Sequence, residues 1–318
     1  MQTNKKVDNP QITVAELVEI SGDEMDLEIL AGTKGLQTRL IDSQRIQKLG
    51  LALAGFAHYI HAGRIQIVGQ SEISYLAQLE RAKRIQAIEH LDLEKICCIL
   101  ITKNLKPPKE LIDIADAKDL PVLRTSHISS KAINAVAKLL SDVLAPRVTI
   151  HGVFMGIYGL GILMTGKSGI GKSECALDLI ARGHRLISDD AVLIKKIDDK
   201  LQGSSPPLTY EHLEIRGLGI VNIRDLFGVS AVGKCKAVEL LIEFKKWNDV
   251  LEVERLGLNR HEEEILGVKI NKFVLPVSAG RNLSTLVETA VRVHLLREAG
   301  FDAAQKLIEK HTALVAGK

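Results

Sequence analysis

The stretch Gly-Lys-Ser-Gly-Ile-Gly-Lys-Ser in the middle of the chain restricts the possible folds more than any other part of the sequence. It has the G-x-x-x-x-G-K-S spacing of a phosphate-binding loop, in which backbone N–H groups surround a polyphosphate. An apolar run, 160–165, precedes it as a strand would, and 173–181 follows with helical spacing. The alternative is a plain glycine turn between a strand and a helix. The flanks favour an α/β fold that binds a nucleoside triphosphate.

Two residues of this loop have defined chemical tasks in such a site. Lys172 would reach the β- and γ-phosphates, and the hydroxyl of Ser173 would bind Mg²⁺. The helix that follows directs its N-terminal N–H groups at the phosphates. The nucleotide-binding residues are therefore Gly166, Lys167, Ser168, Gly169, Ile170, Gly171, Lys172 and Ser173.

Composition excludes several classes of function. The 318 residues are 46% hydrophobic and 25% charged, which is typical of a globular protein with room for two domains. A net charge of +3 and 3% aromatic residues give poor support for nucleic-acid binding. The sequence lacks an apolar run of about 20 residues, a signal peptide and a zinc-type cysteine spacing. We therefore expect a cytoplasmic protein without nucleic-acid or membrane partners.

The N-terminal half predicts a separate α/β unit. Residues 96–102 and 121–124 read as strands around a helix at 108–117, and 71–84 reads as an earlier helix. This half contains no glycine-rich nucleotide fingerprint. We therefore expect it to have no nucleotide site of its own.

A helix at 131–144, ended by Pro146, marks the expected domain boundary. The predicted division is an N-terminal α/β domain at 1–130, a linker helix at 131–146 and a catalytic domain at 147–318.

In the C-terminal half, 148–154 reads as one strand interrupted at His151 and Gly152, and 185–197 as one or two strands. Residues 238–244 and 250–256 predict an antiparallel pair. Residues 282–299 have the apolar spacing of a long helix.

A pair of carboxylates, Asp189 and Asp190, ends an apolar run one helix after the loop. Neighbouring side chains on a strand point to opposite faces, so the two cannot share one task unless the strand has ended. One would orient Mg²⁺ or a partner residue, and the other would accept a proton from a hydroxyl substrate. A solvated strand end is the alternative.

Other charged residues fit either a functional role or an ordinary structural one. Glu214 and Arg216 alternate on one predicted strand, where they suit Mg²⁺ and phosphate or else form a surface ion pair. Arg255 has the same ambiguity. Arg281 immediately precedes a predicted helix, where the helix dipole disfavours a cation. An arginine at this position therefore favours an anionic partner such as phosphate. His151 alone is more typical of a structural histidine.

Four segments together resemble the HPr kinase/phosphorylase family, which phosphorylates a serine of the phosphocarrier protein HPr. They read TIHGVFMGIYGLGILMTGKSGIGKSE, RGHRLISDDAV, LEIRGLGI and LPVSAGRNL. The resemblance implies a small N-terminal α/β domain and a C-terminal P-loop kinase domain similar to phosphoenolpyruvate carboxykinase. It also implies ATP, Mg²⁺, HPr or an HPr-like acceptor, and a homohexamer.

The resemblance implies a role for each matching residue. Lys172 would act on the transferred phosphate, Ser173 and Glu214 on Mg²⁺, and Asp190 as proton acceptor or donor, with Asp189 beside it. His151 and Arg255 match catalytic positions. A segment used in both reactions matches Leu213, Glu214, Ile215, Arg216, Gly217, Leu218, Gly219, Ile220, Val221 and Asn222. One used in dephosphorylation matches Pro276, Val277, Ser278, Ala279, Gly280 and Arg281.

The family also catalyses the reverse reaction, in which inorganic phosphate attacks phosphoserine and pyrophosphate forms. Many members read Pro-Val-Arg-Pro-Gly-Arg where this chain has Ser278 and Ala279 in the middle positions. The kinase direction is therefore the firmer expectation.

Three other functions compete with this one. A GTPase-like switch needs Asn-Lys-x-Asp, and the similar stretch here ends in Val274 instead of an aspartate. A small-metabolite kinase would use the same loop and the same carboxylate. A scaffold with a degenerate site would not need the intact Lys172, Ser173, Asp190 and Glu214.

Overall fold

A computed structural model describes residues 10–56, 60–247, 261–278 and 280–316. The described residues divide into two compact units on either side of the bond between Ala145 and Pro146. The predicted boundaries at 130 and 146 stay a proposal.

The N-terminal unit is built on a five-stranded sheet of order β2-β7-β6-β5-β4, parallel except for the antiparallel pair of β2 and β7. Its elements are β1 (Ile12–Thr13), α1 (Val14–Met25), β2 (Glu28–Ala31), β3 (Leu40–Ile41), β4 (Gln47–Lys48), α2 (Gly50–Leu53), β5 (Gln66–Val68), α3 (Gln70–Gln78), α4 (Arg81–Glu89), β6 (Ile99–Ile101), α5 (Lys109–Ala117), β7 (Val122–Arg124) and α6 (Ser129–Val143).

The sheet is apolar on both faces because helices cover both. Along β6, Ile99 and Ile101 enter one core while Leu100 enters the other, as the two-residue period of a strand requires. Helix α6, predicted as a linker, buries Ala132 and Val136 in the second core. The N-terminal unit thus includes this helix among its packed elements.

The single helix predicted at 71–84 is wrong, because the structure has two helices there. Leu79 and Glu80 adopt extended backbone between α3 and α4. The guanidinium of Arg84 donates to the carbonyl oxygens of Leu76 at 2.8 Å and Leu79 at 2.9 Å. Those carbonyls lie at the end of α3, so Arg84 stabilises the break.

The C-terminal unit contains two sheets, with orders β11-β9-β10-β17-β19-β18 and β16-β13-β12-β8, and a hairpin of β14 and β15. Its elements are β8 (Arg147–His151), β9 (Val153–Ile157), β10 (Leu160–Gly166), α7 (Lys172–Ala181), β11 (Arg185–Ser188), β12 (Ala191–Ile197), β13 (Lys200–Ser204), β14 (His212–Ile215), β15 (Gly219–Asn222), α8 (Ile223–Phe227), β16 (Cys235–Ala237), β17 (Leu240–Lys246), β18 (His261–Ile265), β19 (Val268–Val277), α9 (Leu283–Glu298) and α10 (Ala303–Ala316).

The chain passes between the two sheets at two adjacent points. One lies at Gly152, between β8 and β9, and the other at Asp189 and Asp190, between β11 and β12. The prediction of one strand over 148–154 is therefore wrong, although its expected interruption at His151 and Gly152 is where β8 and β9 separate. A Cβ on Gly152 would lie 2.5 Å from the carbonyl oxygen of Met164, so only glycine fits this close approach. The two crossings bring their flanking side chains together.

Other predicted elements compare as follows. The helix at 282–299 is confirmed as α9, with Asn282 as its N-cap. The strand at 238–244 corresponds to β17, whereas its predicted partner at 250–256 lies outside the described residues. Across the part of the chain that the structure describes, none of the helices combines the length and apolarity needed to cross a membrane.

Candidate active site

The glycine loop joins the end of β10 to the start of α7, as predicted. Gly169 and Gly171 have φ values of +76° and +102°, which side-chain-bearing residues rarely adopt. The ammonium of Lys172 donates to the carbonyl oxygens of Gly166 at 3.0 Å and Lys167 at 3.3 Å. Burial lowers the pKa of Lys172, against the opposing effect of nearby carboxylates. The lysine is thus held within the loop.

The loop lies where strand direction changes within the larger sheet. β10 pairs antiparallel with β9 on one side and parallel with β17 on the other. The carboxyl ends of β10, β17 and β19 therefore meet at one edge. Such a change of direction opens a crevice outside the strand ends, where α/β folds bind ligands.

Asp189 is a buried orienting group. Its two oxygens accept hydrogen bonds from the hydroxyl of Ser173 at 3.3 Å and the backbone N–H of Glu214 at 3.0 Å. Its side chain lies beneath the loop, and burial raises the pKa of Asp189. Asp189 therefore links the loop to the hairpin that carries Glu214.

Asp190 lines the same cleft but is exposed. Its carboxylate oxygen Oδ1 lies 2.8 Å from Nδ1 of His151, and both side chains are more than half exposed. The backbone of Asp190 has φ +64°, an uncommon conformation for a residue other than glycine. The sequence left open how two adjacent aspartates divide their tasks. Here one is buried against Ser173, and the other is open to solvent.

The hairpin of β14 and β15 forms another wall. Leu213, Ile215 and Val221 face the core beneath it. Glu214 and Arg216 line the cleft, and a Cβ on Gly169 would lie 2.8 Å from the Arg216 guanidinium. The alternation that the sequence showed thus divides this hairpin into a core face and a cleft face.

These elements form the walls of one open cleft. Its lining comprises His151, Ser168, Gly169, Gly171, Lys172, Ser173, Glu174, Asp189, Asp190, Glu214 and Arg216. The sequence patterns did not single out Glu174, although its position immediately after Ser173 could have pointed to the cleft.

The remaining predicted residues lie apart from this lining or outside the described part. Arg281 stacks over the ring of Trp247 at 4.7 Å, beyond the ends of β17 and β19. The neighbouring Leu283 contacts the loop, since its Cδ1 lies 3.3 Å from where a Cβ on Gly171 would stand. Arg255 and Ala279 lie outside the described residues.

The oxygen donors of the cleft suit Mg²⁺. Ser173 and Glu214 line the same cleft as the phosphate loop. Mg²⁺ is commonly held by one or two protein oxygens together with substrate phosphates and water. Within the described residues, three or more His, Cys, Asp or Glu side chains do not gather into a dedicated metal cluster.

Comparisons with known proteins cover nearly the whole chain. Residues 12–140 match the family model for the HPr Serine kinase N terminus, and 142–311 match the HPr Serine kinase C-terminal domain. The HPr kinase/phosphorylase of Geobacter sulfurreducens is 42% identical over 94% of each chain. That of Caldicellulosiruptor bescii is 38% identical over 94% of this chain and 95% of its own.

A solved HPr(Ser) kinase/phosphatase from Coxiella burnetii is 38% identical to this chain. It covers 50% of this chain and 97% of its own, with a TM-score of 0.47. The predicted similarity of the kinase domain to phosphoenolpyruvate carboxykinase stays a prediction.

Proposed function

This chain belongs to the HPr serine kinase family, and we propose that it transfers phosphate from ATP to a serine of HPr and also removes it. The observation that carries this proposal is the solvent-facing Asp190 at the mouth of a phosphate loop, beside His151. A phosphoryl transfer needs positioned phosphates, charge neutralisation and one base for the attacking hydroxyl. The cleft offers residues for each task.

We assign the nucleotide phosphates to the loop from Gly166 to Ser173, with Lys172 on the transferred phosphate. The ammonium of Lys172 carries three N–H donors, and the carbonyl oxygens of Gly166 and Lys167 accept from it, so a third donor can point to the transferred phosphate. Ser173 and Glu214 would hold Mg²⁺, which neutralises phosphate charge when bound. The hydrogen bond from Ser173 to Asp189 fixes the position of that hydroxyl.

Asp190 would accept the proton of the serine hydroxyl as its oxygen attacks the γ-phosphorus and ADP leaves. The contact at 2.8 Å lets His151 orient this carboxylate. In the reverse direction, inorganic phosphate occupies the loop and attacks the phosphoserine phosphorus. Protonated Asp190 then donates its proton to the departing serine oxygen, and pyrophosphate is released.

Arginines complete the proposal. Arg216 lies against the loop and is placed to contact phosphate oxygens. Arg255 keeps its catalytic role as a proposal from the resemblance, as does the segment from Pro276 to Arg281 for dephosphorylation. Ser278 stands where many relatives have arginine, so we expect slower dephosphorylation than phosphorylation. The homohexamer is likewise proposed from the resemblance.

The test is transfer of label from γ-labelled ATP to purified HPr. We expect one labelled serine on HPr, and we expect Lys172→Ala to abolish the signal. Lys200→Ala, which changes an exposed lysine at the turn between β12 and β13, should keep it. ATP turnover that leaves HPr unlabelled would overturn the assignment. Labelling of a metabolite when the enzyme and labelled ATP are incubated with a cytosolic extract would favour the small-metabolite kinase.

A further inference from the structure

Ile220 lies in an unusual position for a large apolar side chain. Register pairs it directly with Glu214 across the hairpin of β14 and β15. Directly opposed residues of an antiparallel pair project from the same face. Ile220 therefore shares the face of Glu214, which lines the catalytic cleft.

The exposure of this face is selective. The inner face of the hairpin is packed into the core, with Leu213 fully buried and Ile215 7% exposed. On the outer side, Ile220 is 74% exposed and Leu218, at the turn, is 73% exposed. Exposed apolar residues continue along the chain into α8, where Leu226 is 61% exposed. We call Leu218 and Ile220 the hairpin patch.

The cleft itself is lined by polar side chains and backbone, including the glycine loop, His151, Asp190 and Arg216. A cleft of this kind contacts the phosphates and the attacking hydroxyl. An acceptor that is a folded protein must also rest on the surface beside the cleft. Apolar surface next to a polar reaction centre is where such a protein gains contact area.

We propose that the hairpin patch is the docking surface for the acceptor protein, contacting apolar side chains next to its phosphorylated serine. This rests on the proposed function, because the occupant named is HPr. The patch is continuous with the catalytic cleft through Glu214, which supports HPr as the occupant over a second copy of this chain. The residue opposite Ile220 is the proposed metal ligand Glu214, so whatever covers the patch also approaches the reacting phosphate.

The test compares two Michaelis constants in the Ile220→Ser variant. Loss of one apolar interface anchor should raise KM for HPr about tenfold. KM for ATP should stay within about twofold of the wild-type value. A displaced hairpin would change both constants, because Glu214 and Arg216 lie on the same hairpin. The split between the constants therefore separates docking from a structural effect.

Leu208→Ser is the matched control, since Leu208 is 91% exposed but precedes the hairpin at the end away from its turn. It should leave both constants unchanged. If Ile220→Ser does not fold, Leu218→Ser, at the exposed turn of the hairpin, repeats the test with the same expected split.

Three outcomes overturn a claim, and they are distinguishable. An unchanged KM for HPr in the variant overturns the docking surface while the function stands. A fall in oligomeric mass of the variant, measured by light scattering, assigns the patch to contacts between copies of this chain. Wild-type protein that does not phosphorylate HPr at all overturns the function itself.

Discussion

Replacing Asp189 separates the stability of the site from its chemistry. Its side chain is 6% exposed and accepts hydrogen bonds from Ser173 and from the N–H of Glu214. Burial nevertheless raises the pKa of Asp189, so folding disfavours its ionised form. Asparagine keeps one oxygen for the N–H and an amide group that can donate to the serine hydroxyl. We expect Asp189→Asn to melt at or above the wild-type temperature and to lose phosphoryl transfer.

Alanine at the same position should have the opposite effect on stability. Asp189→Ala leaves the N–H of Glu214 without its acceptor, which costs about 1–3 kcal/mol for a buried group. For a domain of about 150–250 residues, each kcal/mol lowers the melting temperature by about 2–4 °C. The expected loss for Asp189→Ala is therefore about 2–12 °C.

The contribution of Asp189 to folding stability depends on pH, and its raised pKa sets the direction of that dependence. The pKa of Asp189 is raised in the folded protein, so stability is higher below the unfolded-state pKa of about 3.9 and falls as pH rises through the folded value. The advantage of Asp189→Asn over wild type should therefore shrink on acidification. Calorimetry of metal-free, nucleotide-free protein in EDTA measures it. Equal destabilisation by asparagine and alanine, or a difference independent of pH, would refute the reasoning.

Three further predictions concern other residues. The pKa of Glu288 is lowered to about 2, mainly by a hydrogen bond from His184. Ionised Glu288 therefore stabilises the fold above its unfolded-state pKa of about 4.3, and this stabilisation is lost as the pH falls through the folded-state pKa. The difference in melting temperature between wild type and Glu288→Gln should close as pH falls towards 2, and a constant gap would contradict it. Gly169→Ala should weaken ATP binding in a titration, since the residue has φ +76° and a new Cβ would lie 2.8 Å from a guanidinium; unchanged affinity would contradict this. Burial raises the pKa of Cys175 to about 12, so a thiol reagent should label exposed Cys235 and leave Cys175 unmodified until unfolding; native labelling of Cys175 would contradict that.

Local patterns were sufficient for the centre of the site. The glycine loop, the strand before it and the helix after it depend on residues close in sequence, and all three were predicted. The inner and outer faces of the hairpin also follow from a two-residue alternation at Leu213, Glu214 and Ile215.

Contacts between distant residues were beyond the sequence patterns. The interruption of the 148–154 run at His151 and Gly152 was visible in the sequence, but the change of sheet there was not, because that change depends on pairing between β8 and β12. The same pairing aligns His151 with Ala191 and so brings it to Asp190. Tertiary contacts decide both features. The break after α3 is stabilised more locally, by Arg84, which lies eight and five residues after its two acceptors.

In the proposed mechanism, one cleft transfers phosphate in both directions and Asp190 carries the proton. The most direct measurement compares wild type and Asp190→Asn in two assays: labelling of HPr by ATP, and pyrophosphate release from phosphoserine-HPr with inorganic phosphate. We expect wild type to give both products, and Asp190→Asn to lower the rates of both reactions by about 10²–10⁴-fold. Persistence of either reaction at the wild-type rate in Asp190→Asn would contradict it.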